Sequence, residues 1–445
     1  MPLPSEEASR MFDPAAETMS RDERAALQET RLRSLVDRLI AANGVQGQRL
    51  AAAGATSGND VTLADLPRLP TTSKQDLWDA YPFGMLAVGM DDVVVVHGSS
   101  GTGGRPTLVG YAREDLDLWA QMCARSLGCA GATSGSVVHN AYGYGLFTGG
   151  LGIHQGAIRL GATVIPMSGG LTDRQVRLII DLRPDVLTCT PSYAIHLAEA
   201  LSAAGAGPDD VSLRAGVFGA EPWSDALRRQ IEAMLPLKAL DIYGLSEVIG
   251  PGVATECIEA QDGLHVNEDH FIVEALDPST GEPVLDGRPG ELTFTTPTKR
   301  ALPLLRYRTG DIATLARGDC PCGRTLVRMS KVLGRRDDML VVRGVNVYPS
   351  EVEAVLLADP RIAPHYLLVA DRRAPTARLV VACEAGGDAD PAAVQRELYH
   401  ALFERLGLHA DVAVLPGGSV PRIEAGKVVR VVSWTDGPAP LPGLR

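Results

Sequence analysis

Between residues 91 and 251, short apolar runs alternate with helical segments, and this alternation restricts the fold more than any other feature. VVVVHG, TLVGY, SVVHNA, ATVIPM, DVLTCT, RAGVFGAE and KALDIYG read as strands. Residues 114–127, 149–161, 173–181, 194–203 and 225–234 read as helices between them. Strands that are apolar throughout need both faces covered, so this region predicts a largely parallel α/β sheet. After Gly263 the pattern changes: FIVEALD, TGEPV, GELTFTT and LLRYRTGD are strands joined by Gly/Pro turns, an antiparallel β region. Further on, HYLLVAD, RLVVACE and DVAVL alternate with helices at 351–357 and 391–406, a small α+β unit. A chain of 445 residues has room for two or three domains. The expected division is a large domain over 1–336 and a small one over 337–445, with the boundary in the charged cluster 335–338. The first 90 residues read as mostly helical. They include 21–42, with Leu27, Leu32, Leu35, Val36 and Leu39 at helical spacing, and a helix start at Thr71, Thr72 and Ser73 within the segment 66–78.

Composition narrows the partners. Hydrophobic residues make up 45% and charged residues 22%, a globular balance that excludes wholesale disorder. No apolar run approaches the roughly 18 residues of a membrane span. The start, MPLPSEEASRMFD, lacks the basic and apolar regions of a secretory signal. A net charge of −12 argues against nucleic acid as a partner, while a local basic pocket for a small anion remains open. Seven cysteines, odd and few, fit a reducing compartment better than a disulfide scaffold, so a cytoplasmic protein is expected.

The sharpest local signal is Ser99-Ser100-Gly101-Thr102-Gly103-Gly104-Arg105. Backbone N–H groups of such a loop can turn toward phosphate oxygens, the hydroxyls add donors, and Arg105 adds a fixed positive charge. It is not a Walker loop, which needs Gly-Lys-Ser/Thr opening a helix. Nor is it a dinucleotide fingerprint, since a strand and not a helix follows it. On this loop alone, a plain surface turn is an equally good reading.

The loop has company. SSGTGGRP followed by TLVGYAREDLDLWA resembles the phosphate loop of the adenylate-forming enzymes, specifically of the phenylacetate–CoA ligase family. AYGYGLFTGGLG (141–152), GAEPW (219–223), DIYGLSEVIGPG (241–252), LRYRTGD (305–311), GRRDDMLVVRGVNVYPSEVE (334–353) and GKVVRV (426–431) match in order, so the resemblance covers nearly the whole chain from about residue 60. It implies a large adenylate-forming domain with mixed sheets covered by helices plus a β region, followed by a small mobile α+β domain carrying a catalytic lysine. The implied activity joins a carboxylate to AMP with release of pyrophosphate, then passes the acyl group to the thiol of CoA. Such chemistry calls for positioning and charge stabilisation.

Residue by residue, the resemblance gives Lys427 the bridge between substrate carboxylate and α-phosphate, and Glu247 a part in holding Mg²⁺. Gly219, Ala220, Glu221 and Pro222, with Asp241, Ile242, Tyr243 and Gly244, form the nucleotide pocket, with Tyr243 near adenine. Asp311 and Arg335 serve the ribose, and Asp337 is the hinge. Tyr142, Phe147, Ile153, Ala220, Ile242 and Pro251 line the acid pocket. Taken singly, Glu247, Asp311 and Lys427 would be solvated charges, Tyr243 core packing and the cluster around Asp337 an ordinary linker.

The chain departs from the family where Gly103 and Arg105 stand for the usual threonine and lysine, which bears on pyrophosphate handling. Ile153 replaces a common alanine and would shorten the pocket, favouring benzoate-type acids over phenylacetate; helix packing is the equal alternative. Cys257, His265, Cys320 and Cys322 offer four N/S ligands for a closed structural Zn²⁺ site of a kind some family members carry, although two unrelated thiol regions would give the same sequence. The expected partners are an aromatic acid, ATP, Mg²⁺ and CoA. A carrier-protein phosphopantetheine is the alternative acceptor, a homodimer is carried as an open expectation, and a silent nucleotide-binding regulator is the competing class.

Overall fold

The computed structural model describes residues 10–99, 106–336, 340–342, 345–373, 377–386, 390–422 and 428–444. Its centre is a nine-stranded sheet. Thr163–Pro166, Val137–Asn140, Val186–Cys189, Ala215–Gly219 and Lys238–Leu245 lie side by side in that order and run parallel. Gly250–Thr255, Leu264–Val266, Arg328–Met329 and Leu315–Ala316 extend it antiparallel. The expected α/β alternation is therefore present, with an antiparallel wing. Helices Arg113–Cys129 and Gly149–Leu160 pack so closely that a Cβ at Gly152 would strike Trp119 and one at Gly156 would strike Cys123. Glycine at those two positions permits the contact.

A second sheet, antiparallel, is built from Ile272–Leu276, Gly290–Thr295, Tyr307–Ala313 and Gly334–Arg335. One expectation changes here. TGEPV forms only an isolated bridge between Leu276 and Pro283, because its turn leaves no run long enough to pair. The helix start expected near Thr71–Ser73 is present as the short helix Lys74–Asp79, preceded by a 3₁₀ turn, Leu63–Arg68. Pro67 and Pro70 interrupt the helical ladder, and Ser73 caps the second piece.

The small C-terminal unit is a four-stranded sheet in the order Asp411–Leu415, Arg378–Ala385, Ile362–Asp371, Val431–Trp434, with helices Pro349–Leu356 and Pro391–Leu406. Its apolar core is continuous with that around helices Pro191–Ala203 and Asp225–Met234 of the large domain. Among the described residues, no helix is long and apolar enough to cross a membrane.

Candidate active site and candidate metal centre

Four parallel strands end beside sequence motifs. Asn140 leads into AYGYG, Cys189 into Thr190-Pro191-Ser192, Gly219 into AEPW, and Leu245 into Ser246-Glu247. The carboxyl ends of a parallel sheet are where α/β folds bind ligands. The hairpin that flanks the phosphate-loop candidate reaches the same region through Ser99. Val95–Ser99 and Thr107–Tyr111 form an antiparallel hairpin in which Ser99 pairs with Thr107. Ser100, Gly101, Thr102, Gly103, Gly104 and Arg105 lie outside the described residues, as do Asp337 and Lys427.

Glu247 is buried at 3% exposure and accepts a hydrogen bond from Ser99 Oγ at 3.0 Å. Its loop is clamped from several sides. Tyr111 Oη donates to the carbonyls of Ser246 (3.2 Å) and Ile249 (3.1 Å), and Ser246 Oγ donates to Gly98 O (3.4 Å). Lys299 Nζ donates to the carbonyl of Glu247 itself at 2.9 Å and sits 4.9 Å from the Tyr111 ring centre. Lys74 Nζ lies 4.0 Å from the Glu247 carboxylate. Sequence reading missed both lysines. Nothing in TPTKRALP distinguishes a buried lysine from a solvated one, although it lies one residue before LRYRTGD.

Lys299 is fully buried, and that burial lowers its pKa from 10.5 to about 8, with Asp115 and Glu247 working in the opposite direction. Between those values the unfolded chain binds more protons than the folded one, so this lysine's contribution to stability rises with pH across the window. Urea midpoints measured from pH 7.5 to 10 should show an upward component of at most about 1.4 kcal/mol per pH unit. Lys299→Met should remove it; an identical profile for the variant would show that the ammonium is not buried.

Asp311 has an organised surround. Tyr243 Oη donates to its Oδ2 at 2.7 Å, Arg335 Nη1 donates to its Oδ1 at 2.9 Å, and Asp311 and Arg335 are register partners across two antiparallel strands. Tyr243 also stacks on Phe294 with ring centres 6.0 Å apart. In the GAEP turn, Ala220 adopts a left-handed φ of +70°, a strained conformation for alanine. Glu221 Oε1 accepts the Ser192 N–H at 2.8 Å, and its Oε2 accepts the Val428 N–H at 3.2 Å. Asp241 is buried, and that burial raises its pKa to about 6. Gly244 lies so near Gly250 that any side chain would meet the opposing backbone.

Of the acid-pocket residues, Tyr142, Ile153 and Ile242 share one buried cluster, with Ile153 fully enclosed. Pro251 is half-buried, and its carbonyl accepts from Trp119 Nε1 at 3.0 Å. Ala220 is exposed, and Phe147, at 54% exposure, stands outside that cluster.

The four expected metal ligands come together. The Cys257 and Cys320 sulfurs are 3.6 Å apart, Cys322 Sγ is 3.5 Å from His265 Nε2, and all four ligand atoms lie within 4.8 Å of one another. A tetrahedral zinc with bonds of about 2.0–2.3 Å implies ligand–ligand edges of roughly 3.3–3.8 Å, so the set fits that ion. Gly323, at φ +82°, closes the Cys-Pro-Cys turn by donating to Cys320 O at 2.9 Å. The next residue, Arg324, is buried against Glu17, 2.6 Å from Nε to Oε2.

Held carboxylates beyond the central strands and on the neighbouring sheet, with the C-terminal unit bonded to the same turns, are the arrangement expected of an adenylate-forming enzyme. The family model for AMP-binding enzymes matches residues 20–299, and that for the AMP-binding enzyme C-terminal domain matches residues 344–433. The chain is 50% identical to a phenylacetate-coenzyme A ligase of Thermus thermophilus, over 95% of this chain and 99% of that protein. It is 48% identical to one of Escherichia coli strain K12, over 93% and 96%. It belongs to the phenylacetate–CoA ligase family and is an AMP-forming acid–thiol ligase. Among solved structures it is similar to a 2-hydroxyisobutyryl-CoA ligase at 28% identity, over 97% of this chain and 94% of that one. The TM-score is 0.89 against that enzyme in its postadenylation state and 0.71 against its thioesterification state.

Proposed function

We propose that this ligase activates an aryl carboxylic acid of the phenylacetate type and transfers it to CoA. The carboxylate oxygen attacks the α-phosphorus of ATP, the bond to pyrophosphate breaks, and acyl-AMP forms. The thiol then attacks the acyl carbon, loses its proton to solvent, and AMP leaves. The observation that carries this reading is a pair of held carboxylates: Glu247, just past a central-sheet strand and beside the hairpin that carries Ser99, and Asp311, on the second sheet, between Tyr243 and Arg335. Asp311 and Arg335 take the ribose, Tyr243 with Gly219, Ala220 and Pro222 takes the base, and Glu247 helps hold Mg²⁺. That ion neutralises phosphate charge. Lys427 steadies the carboxylate and the α-phosphate, and its segment belongs to a small domain spanning 337–445 that turns about Asp337. The gap between the two matched regions, 299 to 344, supports a boundary there.

The names of the relatives favour phenylacetate over benzoate and CoA over a carrier protein. The benzoate alternative has Ile153 as its one support, and full burial in the core suits a packing role as well. Acid-dependent ATP–pyrophosphate exchange over benzoate, phenylacetate and their hydroxy forms, followed by CoA or a charged carrier protein, tests the proposal. No exchange with any aryl acid would leave the silent-regulator class. In the same assay, Ile153→Ala should raise kcat/KM for phenylacetate relative to benzoate by at least about tenfold if Ile153 forms the pocket floor. An unchanged ratio assigns it to packing and removes the case for benzoate.

The same proposal includes a structural zinc at Cys257, His265, Cys320 and Cys322. Seven cysteines without a disulfide support a reducing, cytoplasmic setting. No oligomeric state is part of this reading.

A further inference from the structure

Glu221 uses its two carboxylate oxygens on two different domains. Oε1 accepts the N–H of Ser192, in the first turn of helix Pro191–Ala203, where unpaired amides and the helix dipole favour an anion. Oε2 accepts the N–H of Val428, which directly follows Lys427 in the chain.

The surrounding contacts run between the same elements. Arg430 Nη2 donates to Ser192 Oγ at 3.3 Å, its guanidinium lies 4.2 Å from the Tyr366 ring centre, and Nη1 donates to Tyr366 O at 3.3 Å. Three residues past Glu221, the Ser224 N–H donates to Glu353 Oε1 at 2.7 Å. Glu353 is 2% exposed, and its Oε2 accepts from Tyr366 Oη at 2.7 Å. The GAEPWS turn and the neighbouring helix start thus receive the small domain through two carboxylates, each shared between domain contacts.

We propose that Glu221 is a positioning residue for the adenylation step: a latch carboxylate that fixes the backbone next to Lys427 and must let go before thioester formation. This rests on the reading of Lys427 given above. The sequence motif alone had assigned Glu221 to the nucleotide pocket; the two hydrogen bonds give it a different task. The chemistry favours glutamate there. Both oxygens accept, and both partners are N–H donors, so an amide would satisfy one and set its own NH₂ against the other. The arrangement is also the one that matches the postadenylation state of the 2-hydroxyisobutyryl-CoA ligase better than the thioesterification state, a difference between structures to which no cause is assigned here.

The test separates the two half-reactions in the full-length protein. Single-turnover acyl-AMP formation from phenylacetate and ATP, and thioester formation from supplied phenylacetyl-AMP and CoA, are measured for wild type, Glu221→Gln, Arg430→Ala and Lys427→Ala. Glu221→Gln should slow the first by about tenfold, the weight of one charge-assisted hydrogen bond, and leave the second within about twofold of wild type or faster. Arg430→Ala should show the same split more weakly, with an unchanged KM for ATP. The two variants combined should be non-additive, because they hold one segment. Equal losses in both half-reactions, or a raised KM for ATP with kcat intact, would overturn the latch, the latter returning Glu221 to nucleotide contact. If Lys427→Ala loses adenylation while Glu221→Gln and Arg430→Ala do not, the latch is wrong and the lysine's role stands. If Lys427→Ala keeps adenylation, the underlying reading fails first. Should Glu221→Gln fold poorly, Arg430→Ala alone decides, by the presence or absence of the split.

Discussion

Lys427→Ala is expected to lower acyl-AMP formation by about 10²–10³-fold, the usual cost of removing one preorganised group that stabilises developing charge. Thioester formation from supplied acyl-AMP should remain near wild type. The argument is electrostatic. Joining a carboxylate to a triphosphate brings like charges together, and an ammonium between them is worth most at the moment of bond formation. Once the anhydride exists, that need has passed, so the second half-reaction does not depend on it. The measurement is single-turnover formation of acyl-AMP alongside CoA capture of the purified intermediate. A uniform drop in both steps would mean that the substitution harms the fold or a shared binding site, and the two-conformation account would be withdrawn.

Cys320→Ser should abolish a zinc content of about one ion per chain and lower the thermal midpoint. The three thiols and one imidazole lie close enough to satisfy a tetrahedral ion. The site connects two parts of the chain: Cys257 and His265 flank the antiparallel wing of the main sheet, and Cys320 and Cys322 come from a turn 63 residues beyond Cys257. Structural zinc in small domains supplies folding free energy directly. Here the surrounding core is large, so a partial loss is expected: a lower midpoint with the chain still folded at room temperature. Elemental analysis of freshly prepared, unchelated protein checks the first part and scanning calorimetry the second. A wild type without zinc removes the proposal outright.

Much of the fold can be read from the sequence because it rests on local patterns. Strand runs such as VVHN and AGVFG and the helix from Arg21 to Ala42 carry their own periodicity and caps. The helix start near Thr71–Ser73 was readable because Ser73 is a capping residue, whereas TGEPV reads as a strand and forms only a bridge. The site was legible only where a motif names a residue. Ser99 beside Glu247, and Tyr243 with Arg335 on Asp311, join positions far apart in the chain, and the ordered motifs allowed them to be grouped in advance. Lys299 and the interdomain use of Glu221 were not legible. Each depends on what lies opposite in space, and neither lysine nor glutamate carries a local mark of burial or of a partner. Phe147 shows the reverse: the motif marks it for the acid pocket, while the structure leaves half its ring in solvent.

The segment joined to Arg324 sets an order on how the protein is made. Residues at the start of the described chain close against residues near the end of the large domain. Arg24 donates to Thr325 across 301 positions, and Arg324 pairs with the buried Glu17. At about 5–20 residues per second, a ribosome needs roughly 15–60 s to span that interval. Until then the helix Arg21–Ala42 can pack on Leu50, Val61 and Leu66, which share its buried cluster, while Arg24 and Glu17 still lack their partners at 324 and 325. In a nascent chain the contacts of Arg24 and Glu17 with residues 324 and 325 therefore form only after the thiol-bearing turn has been made.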